Sequence, residues 1–560
     1  MAANILILNL TRMGDLIQTT PLIHGLREQN PDCRITMLAN AKFAGILKFV
    51  EGVDELVTLD IHQFASKGGE EETDLLKVYE YLDGVGAELK TKKFDQIINL
   101  SHSKLSAALS LLLNIPDGRG FLSTPRGSRI IRNPWLVYFT SFLAFRRFNR
   151  FNLVDMYVRG ADLTPGPSTR LALKPDEAAI VETRAKMEAM GVKDGDILVG
   201  FQAGASREDR RWNPRNFAKV GDALAESMNA KIVLFGSASE KKLGDEIELA
   251  MTAPVINLMG KTSLPELVAW VKRANLLVTN DTGTMHIGAA VGTPIVALFF
   301  VHARCEETGP YCDGAIILQS DISCAPCAHN APCDHYSCLE YITADDVSAI
   351  SRSVLRNEPL PLVDTPFFKR VKLYKSRLNP SGGADFVPMK KDPLDKYELF
   401  AYLYEPLFAT ALANWAAPER MKEGAELFEP AVERLKNLFA PQTPKDLGVW
   451  LNRAGEGAQK LLFIAEETIK LTVKIPTVKT SKALADIADR LGHLDVEIGT
   501  IADTHIAVSP LAYVYRRRLE NFEGDDPASL ARQAHTAAQW LERVSSLFMD
   551  GLKRARVGLL

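Results

Sequence analysis

The sequence predicts an α/β protein with two doubly wound halves, followed by an all-helical region. Short apolar runs alternate with helical patterns over residues 1–175 and again over 176–356, and such alternation is typical of βαβ units and a parallel sheet. From 396 to 560 only helical periodicity remains. A proline-rich linker at 357–395 separates the two kinds of pattern.

Each predicted strand is a short apolar run, and each predicted helix has apolar residues at helical spacing. Helices are predicted at 15–28, 214–228 and 264–273. The predicted strands are 4–10, 33–38, 55–59 and 94–100 in the first half, and 197–201, 231–235, 255–258, 276–279 and 294–298 in the second. Ligands of open α/β sheets bind beyond the carboxyl ends of the strands, so we expect functional residues in the loops that follow them.

The linker and the tail carry their own signals. The apolar runs 370–377 and 385–387 flank a glycine pair and predict a small hairpin. Farther on, helical periodicity predicts a bundle of about four or five helices. Asp526 followed by Pro527 predicts an N-cap with proline at the first helical position.

The bulk composition excludes several classes of protein. A chain of 560 residues is too long for one hydrophobic core, and its net charge of −3 gives no general attraction for nucleic acid. No apolar run approaches the ~18 residues that a membrane span needs. The amino terminus reads as a first strand rather than a signal peptide, so we expect a cytoplasmic protein.

The most informative loop follows the predicted strand 276–279. It carries Asp281, Thr282 and Gly283, and His286 lies on the first turn of the helix that then begins. The first N–H groups of a helix have no partner inside the helix, and the helix dipole favours an anion there. The loop therefore predicts a phosphate and sugar site, in which Asp281 and His286 can bind hydroxyls or phosphate.

The first loop of the chain carries Gly14 and Asp15, directly after the strand 4–10. The glycine lets the backbone turn close to a ligand, and the carboxylate stands at the start of a helix. Such a carboxylate is a plain helix cap or, at the mouth of a cleft, a base that takes a proton from an alcohol nucleophile. The sequence leaves both interpretations open.

Three further loops follow strands of the second half and carry small or charged residues. Small residues let a phosphate or a flat ring approach the backbone, and arginine offers positive charge to phosphate. The alternatives are a solvated basic loop and a helix capping box. The candidates are Gly204, Ser206 and Arg210 with the neighbouring Arg207 and Arg211, then Gly236, Ser237 and Glu240, and finally Met259 and Lys261.

Together these motifs resemble glycosyltransferase family 9, the lipopolysaccharide heptosyltransferases, over roughly residues 1–350. The resemblance implies the GT-B fold, in which two Rossmann-like domains face each other across a cleft. It also implies an ADP-activated heptose, or a related nucleotide sugar, as the donor. The motifs that carry it are Gly14-Asp15 with Thr20-Pro21, the run 99–102, the stretch 204–212, the turn 235–240 and the run 281–286.

The resemblance implies a role for each matching position. Asp15 is expected to act as the general base on the acceptor hydroxyl. Arg210 is expected to bind the donor phosphate, at a place where the family usually has lysine. Glu240 is expected to bind the ribose and Asp281 the sugar hydroxyls.

The expected reaction inverts the sugar and needs no metal ion or other cofactor. The acceptor oxygen attacks as Asp15 removes its proton, and the diphosphate leaves toward Arg210. The backbone N–H groups of Thr282 and Gly283 meet the diphosphate, with His286 beside them. No Asp-x-Asp motif of the kind that holds a divalent ion is evident in the loops after the strands.

The segment 119–159 is rich in arginine and aromatic residues and nearly free of acids. Its pattern is typical of a helix with a core face and solvated arginines. The alternative is a basic, aromatic surface for an anionic acceptor or a membrane face. The acceptor-binding candidates are Arg126 and Arg129 in this segment, and Ser101 and His102 after the strand 94–100.

Four cysteines form a Cys-x2-Cys-x5-Cys-x4-Cys cluster. Four thiolates can bind a structural zinc ion. Unpaired thiols and a redox-dependent disulfide are the alternatives in a cytoplasmic protein. The cluster consists of Cys324, Cys327, Cys333 and Cys338, with His329 and His335 between them.

Other functions fit parts of the pattern. A binding or scaffold protein could keep the fold and lose turnover, and the acceptor could be a protein side chain. A nucleotide-sugar epimerase would need an acid and base set that works on the sugar itself, and no such set stands out. The expected partners are a nucleotide-sugar donor and an anionic glycan or lipid-linked acceptor, with peripheral contact at the inner membrane and no nucleic acid. The helical region is most simply a packed core, and the alternative is a docking module for an unknown protein partner or for the acceptor.

Overall fold

A computed structural model describes residues 3–61, 75–328, 331–361, 370–379, 382–421, 424–478 and 480–560. The chain divides into two compact units. Unit 1 is Met1–Gly118 with Asn152–Lys390, and unit 2 is Arg119–Phe151 with Lys391–Leu560. None of the described helices combines the length and the apolar character that crossing a membrane requires.

The first half of unit 1 is a parallel sheet with helices in its connections. Its strands pair in the order β3-β2-β1-β4. The strand order changes direction beside β1, so the loop after β1 lies at a topological switch point, where open α/β sheets bind ligands. The elements are β1 (Asn4–Asn9), α1 (Met13–Gln18), α2 (Thr20–Gln29), β2 (Arg34–Asn40), β3 (Glu55–Leu59), α3 (Leu75–Thr91), β4 (Gln96–Asn99) and α4 (Lys104–Leu113).

The single helix predicted at 15–28 is two helices in the structure. α1 ends at Gln18 and α2 begins at Thr20, with Thr19 between them. Pro21 accounts for the break, because proline has no N–H to bond to the carbonyl four residues earlier. The break leaves α1 as a short helix at the carboxyl end of β1.

Residues 117–151 follow, and most of them belong to unit 2. They form β5 (Asp117–Ser123) and β6 (Arg129–Arg132), which pair as an antiparallel hairpin, and then α5 (Pro134–Ser141). Asn133 caps α5, because its side chain accepts a hydrogen bond from the Trp135 N–H.

The second half of unit 1 is one sheet in the order β14-β13-β12-β11-β10-β7-β8-β9. Strands β7 to β12 are parallel, and the direction of the strand order changes between β7 and β10. The loops after these two strands therefore lie at the second switch point. The elements are α6 (Leu153–Gly160), α7 (Glu177–Ala189), β7 (Leu198–Gln202), α8 (Pro214–Met228), β8 (Lys231–Phe235), α9 (Lys241–Ala250), β9 (Val255–Asn257), α10 (Leu264–Arg273), β10 (Leu276–Asn280), α11 (Gly283–Val291), β11 (Ile295–Phe299), α12 (Cys305–Thr308), β12 (Ile316–Ser320), α13 (Ala344–Arg356), β13 (Val371–Leu378) and β14 (Ala384–Pro388).

The hairpin predicted in the linker is present. β13 and β14 pair with each other in antiparallel fashion, and β13 also pairs with β12. The hairpin therefore extends the second sheet of unit 1, so this part of the linker is an integral part of the α/β core. Residues 362–369 and 380–381 of the predicted linker lie outside the described residues.

The rest of unit 2 is helical, as predicted, but its described part has six α-helices rather than about four or five. The predicted cap is confirmed, because the Asp526 side chain accepts from the Ser529 N–H and Pro527 is the first helical residue. The helices are α14 (Lys396–Ala413), α15 (Glu429–Leu438), α16 (Leu447–Lys474), α17 (Ser481–Thr504), α18 (Ser509–Leu519) and α19 (Pro527–Leu559).

The arginine-rich, aromatic segment packs into this helical unit. The Tyr138 ring lies 4.9 Å from the Phe408 ring, and the Phe148 ring lies 6.0 Å from the Tyr404 ring. Both Tyr138 and Phe148 are at most 3% exposed. These rings therefore form core, which agrees with the first interpretation of this segment, a core face with arginines at the surface.

An arginine of the same segment is also used inside unit 2. Arg150 is buried, and its Nε donates to Glu405 Oε2 at 3.0 Å. Its guanidinium lies 3.8 Å from the centre of the Tyr402 ring. A buried guanidinium needs such a partner because its desolvation is costly. The ion pair and the ring contact thus stabilise the packing of 119–151 on α14.

We expect Phe408→Ala to lower the free energy of unfolding by about 3–5 kcal/mol, because it leaves a cavity among the buried rings. Phe463→Ala is the matched control, since that ring is 54% exposed. We expect the control to change stability by less than about 0.5 kcal/mol. Urea denaturation of both variants measures the difference, and equal losses would contradict a shared core of 119–151 and α14.

Candidate active site

The first loop is ordered by the buried side chain of Asn9 at the end of β1. Asn9 Oδ1 accepts from the Thr11 N–H at 3.2 Å, and Asn9 Nδ2 donates to Thr19 Oγ1 at 2.9 Å. The Leu10 N–H donates to Ser101 Oγ at 2.6 Å. Because these bonds hold both sides of the loop, α1 begins at a defined place. Ser101 is only 2% exposed and holds this loop; its predicted contact with an acceptor stays a prediction.

Asp15 lies in the first turn of α1, where its Oδ2 accepts from the Arg12 N–H at 3.1 Å. Burial raises the pKa of this carboxyl above its ordinary value. The bond from Arg12, the Thr11 hydroxyl and the positive charges of Arg12 and His102 act in the opposite direction. The carboxylate thus caps its helix and has the increased basicity that suits a general base.

The amino-terminal ends of α1 and α11 meet through two glycines. A Cβ at Gly14 would lie 2.9 Å from Cδ2 of His286 and 3.6 Å from Cα of Gly283. A Cβ at Gly283 would lie 2.6 Å from Cε of Met13. A side chain at Gly14 would meet the buried His286 ring, whereas one at Gly283 would meet the flexible end of the Met13 side chain. The approach places the Asp15 helix directly against the predicted anion-binding turn.

His286 joins the two halves rather than standing open to a ligand. Its Nε2 lies 3.1 Å from Nε2 of Gln18, and the residue is 3% exposed. Burial lowers the pKa of His286 to about 4, so the ring is neutral near pH 7. The neutral ring accepts from the Gln18 amide through Nε2. Its Nδ1 is buried and has no hydrogen-bond partner among the described residues.

Arg210 and Asp281 form an ion pair at the start of α11. Their side chains are only 13% and 12% exposed. The Thr308 hydroxyl also donates to Asp281 Oδ2, at 3.4 Å. The structure thus brings together the residue predicted to bind phosphate and the residue predicted to bind sugar hydroxyls. A charged pair in this partly desolvated place can exchange partners when an anionic ligand arrives.

Asn280, the last residue of β10, orders the second switch point. Its Nδ2 donates to the Ala203 carbonyl at 2.6 Å, and its Oδ1 accepts from the Trp212 N–H at 3.4 Å. Trp212 is fully buried and donates from Nε1 to the Ile342 carbonyl. These bonds join the loop after β7 to the end of β10. They therefore fix the position of the loop that carries Arg210.

The Glu240 carboxylate lies close to Gly204 and Gly236, two of the glycines predicted to line the donor site. Its Oε2 accepts from the Ser237 N–H and from the Ser237 hydroxyl, both at 2.8 Å, which is the capping box that was the alternative interpretation. A Cβ at Gly204 would lie 1.8 Å from Glu240 Oε1, and one at Gly236 would lie 3.1 Å from Met259 Sδ. The side chains of Glu240 and Met259 therefore pack directly against the glycine backbone at the ends of β7 and β8.

The remaining residues of the three loops contribute differently. Ser206 is exposed, and Lys261 Nζ donates to the Asn257 carbonyl at 2.9 Å. Arg207 pairs with Asp209 at 2.6 Å, and Arg211 donates to the Ala205 carbonyl. Of the three arginines in the loop after β7, Arg210 is thus the one that reaches the α11 turn.

Two of the acceptor candidates lie in unit 2. Arg126 pairs with Asp525 at 2.7 Å on an exposed surface, and Arg129 is exposed on β6. Their proposed contact with an acceptor stays a prediction. His102 belongs to unit 1, where its charge acts on Asp15. Of the acceptor candidates, His102 is therefore the one that the structure relates electrostatically to the expected base.

The four clustered cysteines differ in their exposure. Among the described residues, which exclude His329, no group of three or more His, Cys, Asp or Glu side chains could hold a metal ion. Cys324 is exposed and Cys338 is buried, and none of the four clustered cysteines forms a disulfide. Burial, with smaller effects of the neighbouring thiols, raises the pKa of Cys338 to about 11. A zinc ion at this cluster thus stays a prediction from spacing alone.

Four residues that contribute to the site were not singled out from the sequence. Two are amides at strand ends, and such a polar residue closing an apolar strand is a usable signal. The other two depend on contacts distant in sequence, which no local pattern shows. They are Asn9 and Asn280, and then Gln18 and Thr308.

Two doubly wound halves whose switch-point loops meet define the GT-B class of glycosyltransferases. Residues 84–336 match glycosyltransferase family 9 (heptosyltransferase). Lipooligosaccharide heptosyltransferase 2 of Haemophilus influenzae is 28% identical over 331 residues, which are 56% of this chain and 88% of that protein. Lipopolysaccharide heptosyltransferase 2 of Escherichia coli is 25% identical over 53% of this chain and 82% of its own length.

A solved structure agrees with these relatives. The glycosyltransferase family 9 protein of Veillonella parvula superimposes with a TM-score of 0.52 at 26% identity, over 64% of this chain and 98% of its own. The chain is thus similar to glycosyltransferase family 9 over residues 84–336, and the protein is a glycosyltransferase of the heptosyltransferase type. The predicted resemblance and fold are confirmed.

We expect Gly14→Ala to separate α1 from α11, because the added methyl group would lie 2.9 Å from the His286 ring. Overpacking of this kind costs about 1–3 kcal/mol. Gly84→Ala is the control, since nothing lies within 4 Å of a Cβ at that exposed helical position. Thermal melts should show a loss for Gly14→Ala and none for the control. Unchanged stability of Gly14→Ala would contradict the close approach.

The stability of unit 1 should depend on pH through His286. Its folded pKa of about 4 lies below the ordinary 6.5, so the unfolded state binds more protons between these values. The free energy of unfolding therefore falls on acidification from pH 6.5 to 4, by about 3 kcal/mol. His286→Gln should remove this loss, as urea denaturation at several pH values would measure.

Asp155 provides the opposite control for that experiment. It is buried, and Tyr311 donates to it at 2.7 Å. Burial raises its pKa to about 6, so its contribution to stability falls as pH rises from about 4 to about 6. Asp155→Asn should therefore make the decline on acidification steeper. Identical pH profiles of wild type and His286→Gln would contradict the buried neutral imidazole.

Proposed function

We propose that the protein transfers a heptose from ADP-heptose to a hydroxyl of a lipopolysaccharide-type glycan, with inversion at the sugar. The observation that carries the proposal is the approach of Gly14 and Gly283, because it puts the only candidate base of the first loop against the α11 turn. The relatives are named for heptosyl transfer to lipooligosaccharide or lipopolysaccharide, which supports the sugar and the acceptor class.

Asp15 receives the acceptor proton in this proposal. The acceptor oxygen forms a bond to the anomeric carbon as the bond from that carbon to the diphosphate oxygen breaks. The proton of the acceptor hydroxyl passes to a carboxylate oxygen of Asp15. The raised pKa of Asp15 supports this role, because a more basic carboxylate takes the proton more readily.

The leaving diphosphate gains negative charge, which Arg210 and the α11 N-terminus are placed to stabilise. Donor binding requires Arg210 to exchange its bond with Asp281 for bonds to phosphate oxygens. Asp281 then becomes an acceptor for the sugar hydroxyls. The pair thus keeps both charges satisfied before the donor arrives and provides both donor contacts afterwards. The nucleoside would bind at the ends of β7 to β9, with Glu240 at the ribose.

In this proposal the positive charge beside the diphosphate comes from Arg210 and a helix dipole. Turnover should therefore be insensitive to a chelator. The alternative acceptor, a protein side chain, uses the same base and the same donor site, so only an acceptor assay separates the two.

The test is transfer by the full-length protein from ADP-heptose to a heptose-deficient lipopolysaccharide core, with and without EDTA. We expect Asp15→Asn to lower kcat by about 10²–10⁴ with little effect on the donor KM. Arg210→Ala should instead raise the donor KM by about 10–100-fold. Arg215→Ala, an exposed arginine at the start of α8, is the charge-matched control. The product anomer, read by NMR, reports inversion.

Several outcomes would overturn this proposal. Full activity of Asp15→Asn would show that Asp15 is not the general base. A product with the anomeric configuration of the donor would show that the reaction is not a single inverting displacement. A loss of activity with EDTA would show that turnover requires a metal ion. Transfer to protein but not to the glycan core would establish the alternative acceptor.

A further inference from the structure

Unit 2 contains a cavity of about 460 Å³ between the segment 119–151 and the ends of α14, α18 and α19. This volume is in the range of sites for small organic ligands. One part of its lining is apolar, with Pro134, Val137 and Trp415. The other part is basic, with the arginines Arg132, Arg518 and Arg532 and a single carboxylate, Glu523. The cavity is separate from the glycosyl-transfer site, because all its lining residues belong to unit 2.

Arg518 is the unusual member of this lining. It is only 7% exposed, and its Nη1 is buried without a hydrogen-bond partner among the described residues. The two arginines that precede it in the sequence are paired, Arg516 with Asp495 and Arg517 with Glu520. No carboxylate of the described residues forms an ion pair with Arg518. A buried guanidinium without an opposite charge costs free energy, which an incoming anion would offset.

Aromatic rings hold the Arg518 side chain in place. Its guanidinium carbon lies 4.3 Å from the centre of the Trp415 ring and 6.0 Å from that of Trp540. The two indoles pack edge to face, with centroids 5.2 Å apart. Stacking on a ring leaves the in-plane N–H groups of a guanidinium directed away from the ring face. The group is therefore oriented before any ligand arrives.

The other charges of the cavity are already balanced or exposed. Arg132 donates two bonds to Glu523, at 2.9 and 2.7 Å. Arg532 is exposed and lies 4.0 Å from Asp526. Gln533 exchanges two bonds with the backbone of Glu523, at 3.0 and 2.7 Å, and so fixes the rim. One uncompensated buried positive charge remains, which matches one negative charge on a ligand.

We propose that this cavity binds a small organic acid, with the carboxylate on Arg518 and the apolar or ring-shaped body against Trp415 and Val137. The planar guanidinium pairs with a carboxylate through two parallel hydrogen bonds. The apolar lining excludes water from that pair and contacts the body of the ligand. This inference does not depend on the proposed glycosyl transfer.

The test is calorimetric titration of the full-length protein with benzoate and with benzamide, which has the same shape and no charge. Inorganic phosphate is a third probe, and ionic strength is held constant with sodium chloride. We expect saturable binding of benzoate, at least about tenfold weaker binding of benzamide, and no preference for phosphate. Equal binding of benzoate and benzamide, a preference for phosphate, or no saturable binding of benzoate would overturn the proposal.

Two variants and a control locate the site. Arg518→Met should weaken benzoate binding at least about tenfold, yet leave the melting temperature of the ligand-free protein equal or higher, because it removes an uncompensated buried charge. Arg532→Met, an exposed arginine of the same lining, should bind within about twofold of wild type. Benzoate binding by Arg518→Met at the wild-type level, or a lowered melting temperature of that variant, would overturn the proposal.

Thr536→Trp keeps Arg518 and fills the cavity from a half-buried position of α19. This substitution should abolish benzoate binding although the positive charge of Arg518 is unchanged. Unchanged binding by Thr536→Trp would place benzoate elsewhere and overturn the proposal, even if Arg518→Met does not fold.

Discussion

The arrangement of unit 1 depends on the close approach of two helix ends through glycine. A Cβ at Gly14 would lie 2.9 Å from the His286 ring and 3.6 Å from the Gly283 Cα, so the first turn of α1 lies against the first turn of α11. One of these turns carries a carboxylate and the other presents free N–H groups. The carboxyl ends of β1 and β10 therefore face the same region. The base comes from the first half of unit 1 and the anion-binding turn from the second, and together they form one site. The buried contact of Gln18 with His286 stabilises the same junction.

Buried amides and ion pairs keep this site ordered. Asn9 and Asn280 each end a strand and bond to loops that would otherwise lack partners. Arg210 and Asp281 satisfy one another at the start of α11. Such pairing matters because a buried polar group without a partner costs free energy. The same argument distinguishes Arg518 in unit 2, where the partner is missing from the described chain.

Much of the fold was visible in the sequence, and the failures have physical causes. The strand runs, the loops after them and the hairpin at 371–388 follow from local periodicity and turn residues. The helix break at Thr19 followed from Pro21 and was missed because the amphipathic pattern continued through it. The sequence left two interpretations of the segment 119–159 open, because an apolar stripe shows that a surface is buried, not which surface covers it.

The sequence by itself determined the two sheets, the helical tail and the loops in which Asp15, Arg210, Glu240 and Asp281 stand. Those features depend on residues near one another in the chain. Only the tertiary structure decided that His286 meets Gln18, 268 positions away, and that Arg150 meets Glu405, 255 positions away. Side-chain partners across such separations depend on how the elements pack, and periodicity carries no information about that.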